Sequence, residues 1–281
     1  MSSWTKMTSD SRDKFDLDFS DIHEPVFPAE IRTYDRLVAR VRSRERSADY
    51  REVRVWRMSP FGIELRRDGC EDVLEKGTKI DLELIIGGQR TLFEGLIVEV
   101  IRQNENISLA GVRLSRPRVE NPSENEKRRS TRWLCSEEFF PTCVAPTPGR
   151  FNEYTYFQVR DISQEGLRLV CSLRNKFLIQ GARLNLTASF PTVGDVSFAV
   201  TITRLGVTSE RDKDYLVVGT EYHDLSKAAR SIIGQYLLQF GDADSLSELR
   251  QAGFFPRSVS NGTDFYFLKS EADYDEVLRL R

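Results

Sequence analysis

Residues 157–169 read FQVRDISQEGLRL, and residues 53–65 read VRVWRMSPFGIEL on the same plan. In each string apolar and polar residues alternate, a serine and then a glycine three positions later break the alternation, and it resumes. A period of two marks strands, and the Ser-x-x-Gly break marks the turn between them. The likeness continues outward. Gly62 is followed by Gly77 in EKGTKIDLEL, and Gly166 by Gly181 in IQGARLNLTA, both at a separation of 15. A third glycine closes each region, Gly111 in LAGVRL and Gly219 in VVGTEY, with a spacing that differs by four residues. One supersecondary plan is used twice.

The flanking pattern is that of a mainly β chain. Val53 and Val55 alternate with charged residues, as do Ile80, Leu82, Leu84 and Ile86, and Phe93 to Ile101 reads as a further strand. Gly87-Gly88 is a hairpin turn. In the second half Thr155, Phe157 and Val159 share a face, as do Leu167, Leu169 and Cys171. Val196, Phe198, Val200 and Ile202 alternate before a strand from Tyr215 to Tyr222. Leu225, Ala228, Ala229, Ile232, Ile233, Tyr236, Leu237 and Phe240 then recur at helical spacing, with Asp224 placed to cap the start and Gly241 following the end. This predicts an amphipathic helix buried against the preceding barrel. The segment PRVENPSENEKRR at 117–129 reads as a linker. The expected organisation is a loose tail over 1–30, a first β domain over 31–118, a linker over 119–127, a second β domain with its helix over 128–242, and an extension over 243–281.

Composition narrows the function. The 281 residues carry a net charge of −2, which argues against a DNA- or RNA-binding protein with a broad basic face. No apolar run reaches the roughly 20 residues of a membrane span, and the N-terminus lacks the layout of a signal peptide. Cys70, Cys135, Cys143 and Cys171 have no metal-ligand spacing and suit a reducing compartment, so a cytoplasmic protein without metal or cofactor is expected. The two histidines, His23 and His223, have no nucleophile beside them, so no catalytic set is assigned.

The residues that carry chemistry lie in the second repeat. Arg128-Arg129-Ser130-Thr131-Arg132 contains Arg-x-x-x-Arg, and Asp161-Ile162-Ser163-Gln164-Glu165-Gly166 is an Asp-x-Ser-x-x-Gly. Alone, the arginine spacing is uninformative, since Arg36/Arg40, Arg40/Arg44 and Arg42/Arg46 share it. As an ordered pair inside a β repeat with a terminal helix, the motifs resemble the PilZ family of cyclic di-GMP receptors, strongly over 119–242 and weakly over 31–118. The resemblance implies two tandem PilZ-like split β-barrels. It also implies a cyclic di-GMP site formed by Arg128, Arg129, Arg132, Asp161, Ser163 and Gly166.

The chemistry suits that ligand. An arginine fork grips phosphate, pairs with guanine O6 and N7, or stacks on the base. Asp161 offers an acceptor for the guanine N1–H and amino group, Ser163 a small hydroxyl, and Gly166 a close backbone approach or a positive φ. A purely structural account stands beside this, with Asp161 and Ser163 in an Asx-type turn and the arginines solvated. In the first repeat Arg57 occupies the place of Asp161, and a cation cannot accept from a guanine edge. That barrel is expected not to bind. An N-terminal domain joined by an arginine-bearing linker resembles the flagellar-brake subfamily. Phe139, Phe140, Tyr154, Tyr156 and Phe157 are expected as core and flanking residues rather than as a stacking platform.

The expected function is a receptor in which the nucleotide orders the linker and reorients the two domains, controlling an output domain or partner. The alternative is a PilZ-like adaptor acting through protein contacts alone. At the C-terminus, FYFLKSEADYDEVLRLR resembles the opening strand and helix of a GNAT-type acyltransferase, and the chain stops within that expected helix. The chain is therefore expected to be the regulatory part of a longer protein and not itself an enzyme.

Overall fold

A computed structural model of the protein describes residues 29–30, 36–44, 49–68, 75–102, 107–115, 131–210 and 212–256. The chain divides into two compact units, one centred on each of two sheets. The first sheet contains β1 (Ala29–Glu30), β2 (Leu37–Ser43), β3 (Arg51–Met58), β4 (Gly62–Asp68), β5 (Lys79–Ile86), β6 (Gln89–Arg102) and β7 (Ile107–Leu114). The second contains β8 (Arg132–Leu134), β9 (Thr142–Pro146), β10 (Tyr154–Ser163), β11 (Leu167–Ser172), β12 (Arg183–Phe190), β13 (Gly194–Glu210) and β14 (Lys213–Asp224). Helices α1 (Lys227–Phe240) and α2 (Leu246–Gln251) follow.

Each sheet closes on itself. Pairing runs β2–β3–β4–β7–β6–β5 and returns to β2; in the second sheet it runs β9–β10–β11–β14–β13–β12 and returns to β9. Strand for strand the two six-membered rings have one topology. A short extra strand lies outside each ring, β1 on β3 and β8 on β10. Closure removes the unpaired edges that an open sheet leaves, so even small β units hold together.

The shared topology rests on shared local constraints. Gly77 and Gly181 have φ of 89° and 85°, in the left-handed region that disfavours a side chain, and donate at 2.7 Å to the Ile97 and Ile202 carbonyls respectively. The β3–β4 ladder shifts register between Val55 and Arg57, and the β10–β11 ladder shifts at the equivalent place, between Val159 and Asp161. Such a bulge bends the strand and re-aims the side chains beyond it. Gly87 and Gly88 both have positive φ, as the expected two-residue hairpin requires.

The alternating residues fill the barrels. Ile80, Leu82 and Leu84 are fully buried in the first, and Val159, Leu169 and Val200 in the second. Helix α1 adds Ala229, Ile233, Tyr236 and Leu237 to the second core, with the Tyr236 ring 5.4 Å from Phe190 at the end of β12. Its start differs from the expectation. Asp224 ends β14, and Ser226 is the cap, accepting from the Ala229 amide at 3.1 Å. The start therefore lies two residues further on, and Ala228 is exposed. At the end, Gly241 has extended backbone and donates to the Leu237 carbonyl, which a Cβ would meet at 2.8 Å. Among the described residues no helix is long and apolar enough to cross a membrane.

Gly166 is needed for space and not for a positive φ. A Cβ there would lie 1.8 Å from the Thr220 carbonyl oxygen on β14, and neither backbone can move without breaking the ring. Gly166→Ala is expected to cost about 3 kcal/mol or more, the range of overpacked core sites. Gly111→Ala, whose Cβ would meet its nearest neighbours at an ordinary 3.7 Å, should cost under about 1 kcal/mol. Chemical denaturation of both variants checks the contrast.

Candidate functional site

The turn from β10 into β11 is closed by Ser163. Its amide donates to the Gly166 carbonyl at 2.8 Å, its hydroxyl donates to the same oxygen at 3.1 Å, and the Gly166 amide donates back to Oγ at 3.1 Å. Ser59 makes the same three bonds with Gly62 in the first barrel, at 2.8, 3.1 and 3.0 Å. The side chain of Ser163 is thus held by the turn in a form that does not depend on an aspartate two residues before it. Gly166 continues the same unit by letting β14 pass close behind. The Glu165 carbonyl accepts from the Tyr222 amide at 2.8 Å, and Thr220 Oγ1 bonds both backbone groups of Leu167.

Just before the turn, the bulge places Asp161 with only 3% of its surface exposed. Oδ1 accepts from Arg132 Nη1 at 3.1 Å, and Oδ2 is ion-paired with Arg168, whose Nε lies 2.5 Å away. Arg132 comes from β8, in register with Ser163, while Arg168 lies directly across the ladder from Asp161 on β11. A carboxylate removed from water is costly unless it is paired and hydrogen-bonded; here both oxygens are paired with a cation and Oδ1 is also hydrogen-bonded. The two arginine side chains are 43% and 45% exposed. The result is a buried anion holding two half-exposed cations side by side, with a net charge of +1 across the trio. The bond from Arg132 occupies one of the five N–H donors of its guanidinium.

Of the residues expected from sequence, the structure brings Arg132 and Asp161 into contact and sets Ser163 and Gly166 in the adjoining turn. Arg128, Arg129 and the linker lie outside the described residues, as do Cys70, His23 and the segment resembling an acyltransferase. Arg168 was not anticipated. Its signal lies in the two 13-residue strings: where the second repeat has Asp161 and Arg168, the first has Arg57 and Glu64. The structure pairs both couples across the ladder, with Arg57 Nε 3.8 Å from Glu64. The first barrel therefore keeps the cross-strand pair with its charges reversed.

Arginines at the uninformative spacing have structural partners. Arg42 on β2 and Arg44 just after it bond Asp81 at 2.5 and 2.7 Å, and Arg44 also bonds Glu94. Burial alone would raise the Asp81 carboxyl, but the bonds from Arg42 and Arg44 hold it below the usual carboxylate range. Burial pushes the Cys135 and Cys143 thiols up to about 12, so they stay protonated. Among the described residues no three His, Cys, Asp or Glu side chains are grouped to hold a metal. The aromatics divide. Phe157 is core and Phe139 stacks on Phe240 at 5.0 Å, whereas Tyr154 and Tyr156 stand 54% and 73% exposed on β10.

The reversed pair predicts a stability pattern. Asp161→Arg would gather three cations around the bulge and should cost about 1–3 kcal/mol, below the figure for a fully buried pair because both partners are partly solvated. Adding Arg168→Glu recreates the arrangement of Arg57 and Glu64 and should recover most of that loss in thermal denaturation.

No family model matches the chain, and no curated protein is similar to it in sequence. Several solved structures are similar to it in fold. The Klebsiella pneumonia MrkH–c-di-GMP complex is 16% identical, covering 72% of this chain and 86% of that one at a TM-score of 0.35. The PilZ domain of YcgR from Escherichia coli, solved with c-di-GMP, is 14% identical over 37% of this chain and 83% of that one, at a TM-score of 0.31. The inhibitor of motility MotI/DgrA from Bacillus subtilis is 11% identical over 70% of this chain and 90% of that one, at 0.28.

Proposed function

We propose that this protein is a cyclic di-GMP receptor whose second barrel, with the stretch before it, holds the nucleotide. The observation that carries the reading is the Arg132–Asp161–Arg168 trio at the rim of a rigid turn. A cyclic dinucleotide presents two phosphates and two guanines. The guanidinium forks of Arg132 and Arg168 match phosphate oxygens or the guanine O6/N7 edge, and Arg128 and Arg129 extend the cationic set along the preceding stretch. Asp161 serves the opposite edge. A carboxylate has about four lone-pair sites, so it can accept from guanine N1–H while keeping its arginine bonds. Holding the arginines in place beforehand lowers the ordering cost of binding. Ser163 and Gly166 contribute by shaping the turn.

The first barrel, with Arg57 and Glu64 in these places, has a cation where Asp161 stands and its acceptor on the other strand, and is assigned no nucleotide. Because Arg128 and Arg129 lie between the barrels, the bound nucleotide orders that stretch and fixes the arrangement of the two domains for an output domain or partner. The driving force is the ligand's preference for the ordered arrangement.

Titration calorimetry with cyclic di-GMP tests the reading. Saturable binding is expected. Arg132→Ala and Asp161→Ala should each weaken it about ten- to a hundredfold, the effect of losing a charge-assisted hydrogen bond. Ser163→Ala should lower stability by about 1 kcal/mol with a smaller effect on affinity. No heat and no thermal stabilisation would reject the receptor and favour an adaptor, for which exposed Tyr154 and Tyr156 offer a contact face. Small-angle scattering addresses the reorientation: identical curves with and without saturating nucleotide would rule it out.

A further inference from the structure

Strand β8 is three residues long, and its ladder to β10 has three Cα partners, Arg132 with Ser163, Trp133 with Ile162 and Leu134 with Asp161. So short a strand does not hold its own position. Successive side chains on a strand point to opposite sides, so Arg132 and Trp133 face different surroundings. Arg132 reaches Asp161. Trp133, 2% exposed, reaches the segment after α1: its indole Nε1 donates to Glu248 Oε1 at 3.0 Å and its ring meets Phe254 edge-on at 5.8 Å.

The neighbouring backbone is tied to the same region. The Leu134 amide donates to Asp242 Oδ1 at 2.6 Å, and the Ser136 amide to Tyr236 Oη at 3.1 Å. The second oxygen of Glu248 accepts from the Asp244 amide at 3.2 Å, so one carboxylate joins β8 to the approach of α2. The segment is itself seated. Leu246, Leu249 and Phe254 are fully buried, and a Cβ on Gly234 of α1 would come within 3.1 Å of Phe254. Two separate carboxylates thus hold the strand that carries a nucleotide-site arginine.

We propose that Asp242 and Glu248 are positioning residues for nucleotide recognition: they fix β8, β8 fixes Arg132, and occupancy of the site is linked to docking of residues 242–256. The inference rests on the receptor reading above. Linkage is reciprocal, so if undocking this segment weakens the nucleotide by some factor, the nucleotide strengthens docking by the same factor. The C-terminal segment would then report on the site without touching the ligand.

The test is calorimetry with cyclic di-GMP on the full chain, using Glu248→Ala, Arg132→Ala and the double variant, beside amide hydrogen exchange of the unaltered protein. Glu248→Ala is expected to weaken binding about three- to tenfold, as coupled neighbours do, and to add little once Arg132 is already alanine. Saturating nucleotide should slow exchange at Leu134 and across residues 246–254. Unchanged affinity in Glu248→Ala, or the same further loss in the Arg132→Ala background, would overturn the positioning role and leave the receptor standing. Should Glu248→Ala fail to fold, unchanged exchange in the unaltered protein overturns it instead. A silent unaltered protein would overturn both readings.

Discussion

Asp161 sits at a β-bulge, out of water, with a guanidinium on each carboxylate oxygen. Burying a carboxylate so placed is costly unless cations come to it, and they come from two directions. One is fixed by the ladder, because Arg168 stands opposite on β11. The other arrives on β8, outside the ring. The rim gains two exposed cations this way, both anchored on Asp161.

The first barrel shows what in this arrangement is scaffold and what is chemistry. Its bulge, its Ser-x-x-Gly turn and its left-handed glycine fall at equivalent places, so these features serve the fold whether or not an aspartate is present. The charges do not follow the backbone. Arg57 and Glu64 pair across the ladder with reversed sign, more loosely at 3.8 Å against 2.5 Å, and without the second cation that β8 provides. One ladder position thus carries two charge arrangements, and the second barrel's leaves an excess of positive charge. Ligand chemistry resides in side chains that a shared fold leaves free to vary.

How far the sequence discloses this depends on the range of each interaction. Strand positions follow from a period of two, and the paired glycine spacing exposes the duplication, because both are local. The cap of α1 is also local, yet Asp224 was the expected residue. It remains in β14, and the hydroxyl two positions on does the capping. The partnership of Asp161 with Arg132 is legible only as a motif, and that with Arg168 only by laying one repeat on the other. A bulge shifts register by one residue, which no periodicity reports, and it decides which residue Asp161 faces. The bonds from β8 to Asp242 and Glu248 span 108 and 115 residues, and nothing in the intervening pattern announces them.

The same contrast of range explains how a chain with a net charge of −2 can carry a local cationic cluster such as the Arg132–Asp161–Arg168 trio. Net charge describes the distant field, which salt screens over about 10 Å, whereas recognition of a small anion is settled by groups in contact with it. Many of the chain's arginines are spent on structure. Those on and just after β2 lie against Asp81, Glu83 and Glu94 and stiffen the first barrel. Arg132 differs because its strand is short and is held partly from outside the barrel. A cation on a long central strand would be fixed too firmly to respond to anything beyond its own sheet. One on β8 is only as fixed as the bonds beneath Trp133 and Leu134, and that dependence makes the contact with Asp161 sensitive to the segment that follows the barrel.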